Sequence, residues 1–593
     1  MNASLEINFG IIGTGFSGTA TLVHLVDNLI ATRAELTGVI IFTVEPRSVN
    51  GPGLAYSMNE TLDNHLCNNQ ACKMAVKDND FVSWLASNRK RIVEKYGSLI
   101  NVTHPHTDLS HWCPDPDAFY PRRLFGIYLN ERFHDAVNLA EQHGIRVCSF
   151  NHSCAIDGYE QRNKFTIILK NLCTGELTKI SNLDKVLLST GHWTPSSPQE
   201  SESQKEDTLS IPPYPASAIN RRIEALTSVK RVINVYVKGM GPSAIDSILT
   251  AASQGYFTYS EEGHVVAYIS KPSGPQVNIT AVSRSGFFPA ARGGVVAHDF
   301  QYLITESYEE LMSNNPDNKN LASFLDQIDQ EIRTASQGGA SLRHVVDPPF
   351  QSAREKLNYD ADLPILNDVI HSVILKARRL KFYRHLNSKD KRIYDQRFDS
   401  HFIRTAVPIP QLNAEKLLAL FNAGVLKTSA LGTHGSSNSD LSELGSPITT
   451  SGGGCSDSEY DLVINAFGQD FILSRHPSTF IKALLKRGEI LPHLEVGYEP
   501  GGIALDGFDT YRALSCSQQN SGLSDTDGKY VSQHIYSLGV ITRFWQNERN
   551  FADAIIEASS WISKEWAQYL SDRLQTSSPR LISAKTVRTA SWK

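Results

Sequence analysis

A chain of 593 residues with a formal net charge of −5 has room for several folding units, and it lacks the charge imbalance that a global polyanion-binding field requires. Its eight cysteines, at 67, 72, 113, 148, 154, 173, 455 and 516, include no CxxC pair, which excludes a dense disulfide framework and fits reduced thiols. The sequence opens without a secretory signal and no apolar stretch reaches the length of a membrane span, so a cytoplasmic protein is expected.

The first element is Ile7-Asn8-Phe9-Gly10-Ile11-Ile12, an apolar run that reads as a buried parallel strand. It breaks into Gly13-x-Gly15-x-x-Gly18, and apolar residues at helical spacing follow over 19–26. This is the strand, glycine turn and helix of a dinucleotide fold: Gly13 for the tight turn, Gly15 for close approach to a pyrophosphate, and Gly18 for helix-strand packing. A second apolar strand, 39–44, ends at Glu45, where a carboxylate accepts from ribose hydroxyls; the spacing from Gly13 is longer than usual and is assigned to a longer helix and loop. Two punctuated stretches follow, Gly51-Pro52-Gly53-Leu54-Ala55-Tyr56-Ser57 and Asp63-Asn64-His65-Leu66-Cys67-Asn68, each either a ligand-side loop or a structural one.

An amphipathic helix is expected around 81–85. His104, His106, His111 and Cys113 raise the question of zinc, but their spacing matches no standard ligand set and Pro105 intervenes, so no metal is expected. A helix opens near 119–129, where Arg122 and Arg123 either clamp an anion or sit in salt bridges, the second being favoured. Runs 146–150 and 164–169 read as strands of one small sheet. The strand over 184–190 stops at Ser189-Thr190-Gly191, where backbone passes close to a cofactor, and 196–210 has the composition of a linker.

A second fingerprint lies beyond that linker. The strand 232–237 leads into Gly239-Met240-Gly241-Pro242-Ser243-Ala244, with Ala244 in the third glycine position. The next strand, 278–282, ends in Ser283-Arg284-Ser285, an arginine between hydroxyls that suits a 2′-phosphate and favours NADPH over NADH. From 300 to 426 the pattern turns helical and charged, and its basic stretch 376–385 reads as a solvated helix face rather than a nucleic-acid grip. Residues 432–458 are rich in Ser and Gly, a mobile surface insertion. The run 460–468 is a buried strand ending in glycine; 502–506 and 535–540 complete a strand set, Gly539 is placed near a flavin ring, and a helix begins at Phe551.

The fold class is therefore α/β, with two Rossmann-like dinucleotide-binding domains and a helical insertion. The expected boundaries are 1–210 for the first part of a dinucleotide-binding domain, which the resemblance below assigns to FAD, 225–300 for an NADPH-binding domain, and 301–426 for a helical insertion serving substrate or partner. A flexible insertion over 427–458 precedes a return to the FAD-binding domain over 459–593.

Two glycine fingerprints separated by Ser189-Thr190-Gly191, with a late Asn465-Ala466-Phe467-Gly468, resemble FAD and NAD(P)H monooxygenases with two dinucleotide-binding domains. Gly53-Leu54-Ala55-Tyr56-Ser57, His65-Leu66-Cys67-Asn68, Tyr120-Pro121-Arg122-Arg123-Leu124-Phe125-Gly126 and Ser283-Arg284-Ser285-Gly286-Phe287 narrow the resemblance to the family that includes the nitrosuccinate-forming aspartate N-monooxygenases. The resemblance implies that Gly13, Gly15, Ser17, Gly18 and Glu45 bind FAD together with Gly191 and Gly539, while Gly239, Gly241, Ser243, Ala244 and Arg284 bind NADPH. It places Asn68 near the reactive ring as the catalytic candidate. The implied reaction is reduction of FAD by NADPH, capture of O₂ as a C4a-hydroperoxide and N-hydroxylation of a small amino-acid-like amine. Its carboxylate needs a clamp, for which Arg122, Arg292 and Arg543 are candidates by residue type. The sequence departs from the pattern at Pro242 and in the insertion from Gly432. Two alternatives stand beside this reading: a flavin reductase or oxidase on the same scaffold, and a non-enzymatic nucleotide-binding regulator whose helical insertion holds a partner.

Overall fold

The computed structural model describes residues 6–78, 80–192, 209–272, 274–292, 299–305, 308–313, 320–362, 364–431, 460–507, 510–516, 529–542 and 552–577. The expected insertion 432–458, most of the linker 196–210, Phe551 and Arg543 lie outside these residues.

Strand β1 (Ile7–Ile12) is buried along its whole length, as a central parallel strand covered on both faces must be. It runs into α1 (Phe16–Ala31), and β2 (Val39–Val44) returns parallel beside it. After α2 (Asp80–Ser87), α3 (Arg89–Thr103) and α4 (Arg122–Gln142), β3 (Arg146–Phe150) adds in parallel to β2. The expectation that 146–150 shares a small sheet with 164–169 is corrected here. The long α4 crossover returns the chain parallel to β2, with Phe150 opposite Val44, so β3 extends the large sheet. The small sheet is antiparallel and consists of β4 (Ser153–Glu160), β5 (Phe165–Asn171) and β6 (Leu177–Leu183). Strand β7 (Lys185–Leu188) then pairs with the free side of β1.

The second unit is built the same way. It contains β8 (Ser210–Ile211), α5 (Ala216–Thr227), β9 (Val232–Lys238), α6 (Pro242–Ala251), the hairpin β10 (Gly255–Tyr259) and β11 (Val265–Ser270), and β12 (Gln276–Ser283). After β13 (Ala291–Arg292) come the helices α7 (Tyr308–Ser313), α8 (Leu321–Ala335), α9 (Leu342–Val346), α10 (Ala353–Asp362), α11 (Pro364–Arg379), α12 (Ser388–Arg397) and α13 (Asp399–Ala406). Strand β14 (Ile409–Pro410) pairs with β13, and α14 (Gln411–Asn422), β15 (Leu426–Ala430) and β16 (Leu462–Asn465) follow. The chain closes with α15 (Thr479–Arg487), β17 (Arg512–Ser515), β18 (Tyr530–Ser537) and α16 (Ala552–Ser577).

Two sheets result. The first has six strands in the order β17-β18-β7-β1-β2-β3, and the second has five in the order β15-β12-β9-β16-β8. Strand β16 therefore belongs to the second sheet, parallel to β9 and β8, and not to a return into the first. An apolar run marks a buried strand without naming its neighbours, and β9 and β16 make equally apolar ones. One face of the first sheet packs under α1, α4 and α16, where Phe9 stacks on Trp566 with ring centroids 5.1 Å apart. The other face packs against the three-stranded sheet and α15. A third core fills the second unit, and a fourth lies among the helices from α7 to α13. The basic stretch 376–385 is not wholly a solvated face, since Arg378 is fully buried.

Candidate functional site

The two glycine turns stand at the carboxyl ends of equivalent strands, β1 and β9, where parallel α/β sheets place their ligands. In the first, Gly13 has φ +96°, and a Cβ there would sit 2.3 Å from the Ser189 carbonyl oxygen. A Cβ on Gly18 would come within 2.0 Å of the Gly13 oxygen. Ser189, just past β7, donates its hydroxyl to that same Gly13 oxygen at 2.7 Å. Helix α1 then starts at an N-cap Gly15 with no side-chain cap and no acidic residue in its first turn, leaving amides to meet an anion.

Four further segments close on this turn. Gly53, with φ +58°, approaches so near that its Cβ would lie 3.0 Å from the Gly15 Cα, which settles the 51–57 loop as packed onto the turn. Gly539, after β18, has φ +90° and stands beside the Ser17 hydroxyl, 3.6 Å from its own Cβ position. Thr190 Oγ1 is buried without a hydrogen-bond partner, and beside it no described atom lies within 4 Å of the Cβ position of Gly191. Glu45 is 2 % exposed at the end of β2, and its carboxylate accepts from the Thr14 amide and hydroxyl, each at 3.1 Å, and from Arg47 Nη1 at 3.1 Å. An uncapped helix start, a buried orphan hydroxyl and an oriented carboxylate on the neighbouring strand fit the phosphates and ribose of a dinucleotide.

The second turn repeats the arrangement. Gly239, with φ +127°, leaves 2.2 Å between a Cβ and the Ala466 oxygen, so the end of β16 backs β9 as Ser189 backs Gly13. Gly241 caps α6 with no described atom within 4 Å of its Cβ position, Ala244 is fully buried, and Ser243 lies in the first helical turn. Pro242 occupies the start of α6, where proline suits the helix because its missing amide has no intrahelical partner to lose. Arg284 is exposed just past β12 and makes no hydrogen bond or ion pair among the described residues.

The substrate-side candidates separate cleanly. Arg122, 7 % exposed, donates from Nε to the Leu66 oxygen at 2.9 Å and from Nη1 to Tyr214 Oη at 2.9 Å, and it pairs with Asp246 at 2.9 Å. Tyr214 also donates to Asp246, and His65 Nε2 lies 3.1 Å from the Asp246 carbonyl oxygen and 3.0 Å from Thr250 Oγ1. Arg122 thus ties α4 to α6 through Nε and Nη1, the salt-bridge arrangement that the sequence favoured over an anion clamp. Arg292 is different. It is 9 % exposed, its Nε has no hydrogen-bond partner among the described residues, and Asp368, Cys72 and Asp117 act on it electrostatically. Asn68 is half-buried and makes no hydrogen bond among the described residues. The neighbouring Cys67 thiol is pushed up to about 12 by burial, so it is no thiolate nucleophile at neutral pH. His104 stacks on Tyr120 and His111 bonds Asp108 at 2.8 Å.

Residues 10–193 match the family described as FAD-NAD(P)-binding. The matched span runs from β1 past β7 and includes the first turn, Glu45, Asn68 and Gly191, so its cofactor class is that of FAD and NAD(P). A curated relative, the uncharacterized protein YdhS of Escherichia coli (strain K12), is 22% identical over 446 residues, 71% of this chain and 76% of that protein. Among solved structures, the reduced form of ornithine hydroxylase (PvdA) from Pseudomonas aeruginosa aligns with TM-score 0.46 at 13% identity, covering 95% of this chain and 100% of that one. L-lysine 6-monooxygenase from Pseudomonas syringae aligns with TM-score 0.42 at 13% identity, covering 95% and 99% of the two chains.

Sequence reading did not reach Arg404 of α13, which donates from Nη1 to Ser285 Oγ at 2.9 Å across 119 positions of chain. No local pattern marks such a pair. The roles of Asp246 and His65 were hidden for the same reason.

Proposed function

We propose that this chain is a FAD-dependent, NADPH-using monooxygenase that hydroxylates the amine of a small carboxylate-bearing substrate in the cytoplasm. The observation that carries the reading is the pair of uncapped glycine turns, Gly13 to Gly18 and Gly239 to Ala244, on two sheets joined by the buried Arg122–Asp246 pair. The family match over 10–193 supports the flavin side. The amine assignment rests on the resemblance of the Gly53, His65, Tyr120 and Ser283 motifs to the N-monooxygenases, and the unpaired cysteines at 67, 72, 113, 148, 154, 173 and 516 support a reducing compartment.

Gly13, Gly15, Ser17 and Gly18 would hold the FAD pyrophosphate on the α1 amides, Glu45 its ribose, and the Gly191 and Gly539 segments the approach to the ring. Gly239, Gly241, Ser243 and Ala244 would hold the second pyrophosphate, with Arg284 on the 2′-phosphate. When bound, the flavin supplies hydride acceptance and oxygen activation, and the protein supplies placement and exclusion of water. Asn68 offers an amide to the ring or its substrate. Arg292, with a buried unpartnered Nε, offers a charge-assisted donor to a carboxylate.

The test follows the flavin spectrum of the purified full-length protein under anaerobic NADPH and NADH, then after air is admitted with a panel of amino acids. The expected result is bleaching by NADPH in preference to NADH and a hydroxylated amine that forms with one of the amino acids. Peroxide release without hydroxylated product from any amine moves the assignment to oxidase or reductase, and absence of bound flavin sinks it. Arg292→Gln is expected to raise KM for the amino acid by about tenfold, the loss of one charge-assisted bond, while leaving its decarboxylated analogue unaffected.

A further inference from the structure

Resting on the reading of the second turn as the nicotinamide nucleotide site, we infer that Arg404 of the helical insertion is a positioning residue that sets selectivity for the 2′-phosphate. Arg404 acts through Ser285. The Ser285 oxygen accepts from Arg404 Nη1 at 2.9 Å and from the Phe287 amide at 3.4 Å. A hydroxyl oxygen has two lone pairs and one hydrogen, so with both lone pairs engaged its hydrogen is left to donate. No described residue accepts it.

That hydroxyl stands next to Arg284 at the carboxyl end of β12, where Val282 pairs with Lys238 and its oxygen accepts from the Gly239 amide at 2.7 Å. In a doubly wound nucleotide site this strand end carries the group that reads the ribose 2′ position. Arg404 is held in place by its second nitrogen, which donates to the Val345 oxygen at 2.7 Å and lies 3.4 Å from His401 Nδ1. Burial, Arg404 and Arg284 bring His401 down to about 4, so it is neutral at pH 7 and its Nδ1 is free to accept. The acid facing Arg404 is Asp360, which Lys356 already pairs at 2.5 Å, and Asp347 faces His401 from the other side. The corner therefore combines two guanidinium charges, a donor-only hydroxyl and a neutral imidazole, a set complementary to a phosphate dianion.

The connection runs from α13 to the strand end, so the helical insertion takes part in choosing the nucleotide. Equilibrium titrations on the full-length, FAD-loaded protein test this, with NADP⁺, NAD⁺ and adenosine 2′-monophosphate as ligands. Arg404→Gln and Ser285→Ala are each expected to weaken NADP⁺ and adenosine 2′-monophosphate by about tenfold and to leave NAD⁺ within about twofold. Arg404→Lys should recover part of the loss, and the double variant should be no weaker than the worse single one, because both act on the same hydroxyl. Equal weakening of NADP⁺ and NAD⁺, or no change in either, overturns the role of Arg404 while the site reading stands. A wild-type protein that binds NADP⁺ and NAD⁺ equally, or neither, overturns the site reading and this inference with it.

Discussion

At the scale of single residues, two of the three motif glycines in the first turn are fixed by different physics. Gly13 combines a left-handed φ of +96° with a carbonyl 2.3 Å from any Cβ, whereas at Gly18 contact alone, 2.0 Å to the Gly13 oxygen, forbids a side chain. Alanine at either position forces the turn open and is expected to cost more than about 2 kcal/mol along with most of the bound flavin, read as melting temperature and flavin-to-protein absorbance ratio. Gly175, with φ +74° and no described atom within 4 Å of its Cβ position, is the control, since alanine there bears only the backbone cost of about 1 kcal/mol and is expected to keep the flavin. The glycines were legible because three positions within six residues carry the whole pattern. The partners of Arg122 were not legible, because residue type does not say which carboxylate a guanidinium meets. Arg404 was not legible, because its partner Ser285 sits in another element.

At the scale of elements, α4 and α6, whose apolar faces belong to different cores, are tied by a buried polar cluster. Burial works against the Arg122 charge, but Asp246 and Tyr214 outweigh it and the guanidinium is held charged above its ordinary range. Removing one partner strands the other, so Asp246→Asn or Arg122→Met is expected to cost about 3–5 kcal/mol in denaturant titrations. The double change Arg122→Met with Asp246→Leu should recover a large part of that, and a purely additive outcome would show that the two do not interact. Neither change should discriminate between carboxylate-bearing amines and their decarboxylated analogues. That separates this pair from Arg292. Apolar runs announced eight of the eleven strands in the two large sheets, because a buried parallel strand is continuous in sequence, whereas the expected strand 502–506 makes only isolated bridges. Their partners were not announced: β3 and β16 each joined a sheet other than the expected one, since pairing depends on crossovers that periodicity does not record.

Over the whole molecule, several imidazoles are buried in the neutral form. Burial is the largest cause bringing His65, His371 and His476 each down to about 4. The unfolded chain takes up those protons below its ordinary value of about 6.5 and the folded chain does not, so stability is complete above that pH and declines as pH falls toward 4, by about 1.4 kcal/mol per pH unit for each imidazole. Urea midpoints at pH 7.5 and 5 measure it, and an unchanged midpoint would show that these rings are protonated in the fold. The path of the chain through its two sheets has a different kind of consequence. It leaves the first sheet after β7, completes β8, β9, β12, β15 and β16 in the second, and returns for β17 and β18. On the ribosome, the second unit is therefore finished while the first sheet still waits with an open edge at β7, which only β18 will close. The strands made first depend on strands made much later, so a ligand held by the first glycine turn meets a complete sheet only once β18 is in place.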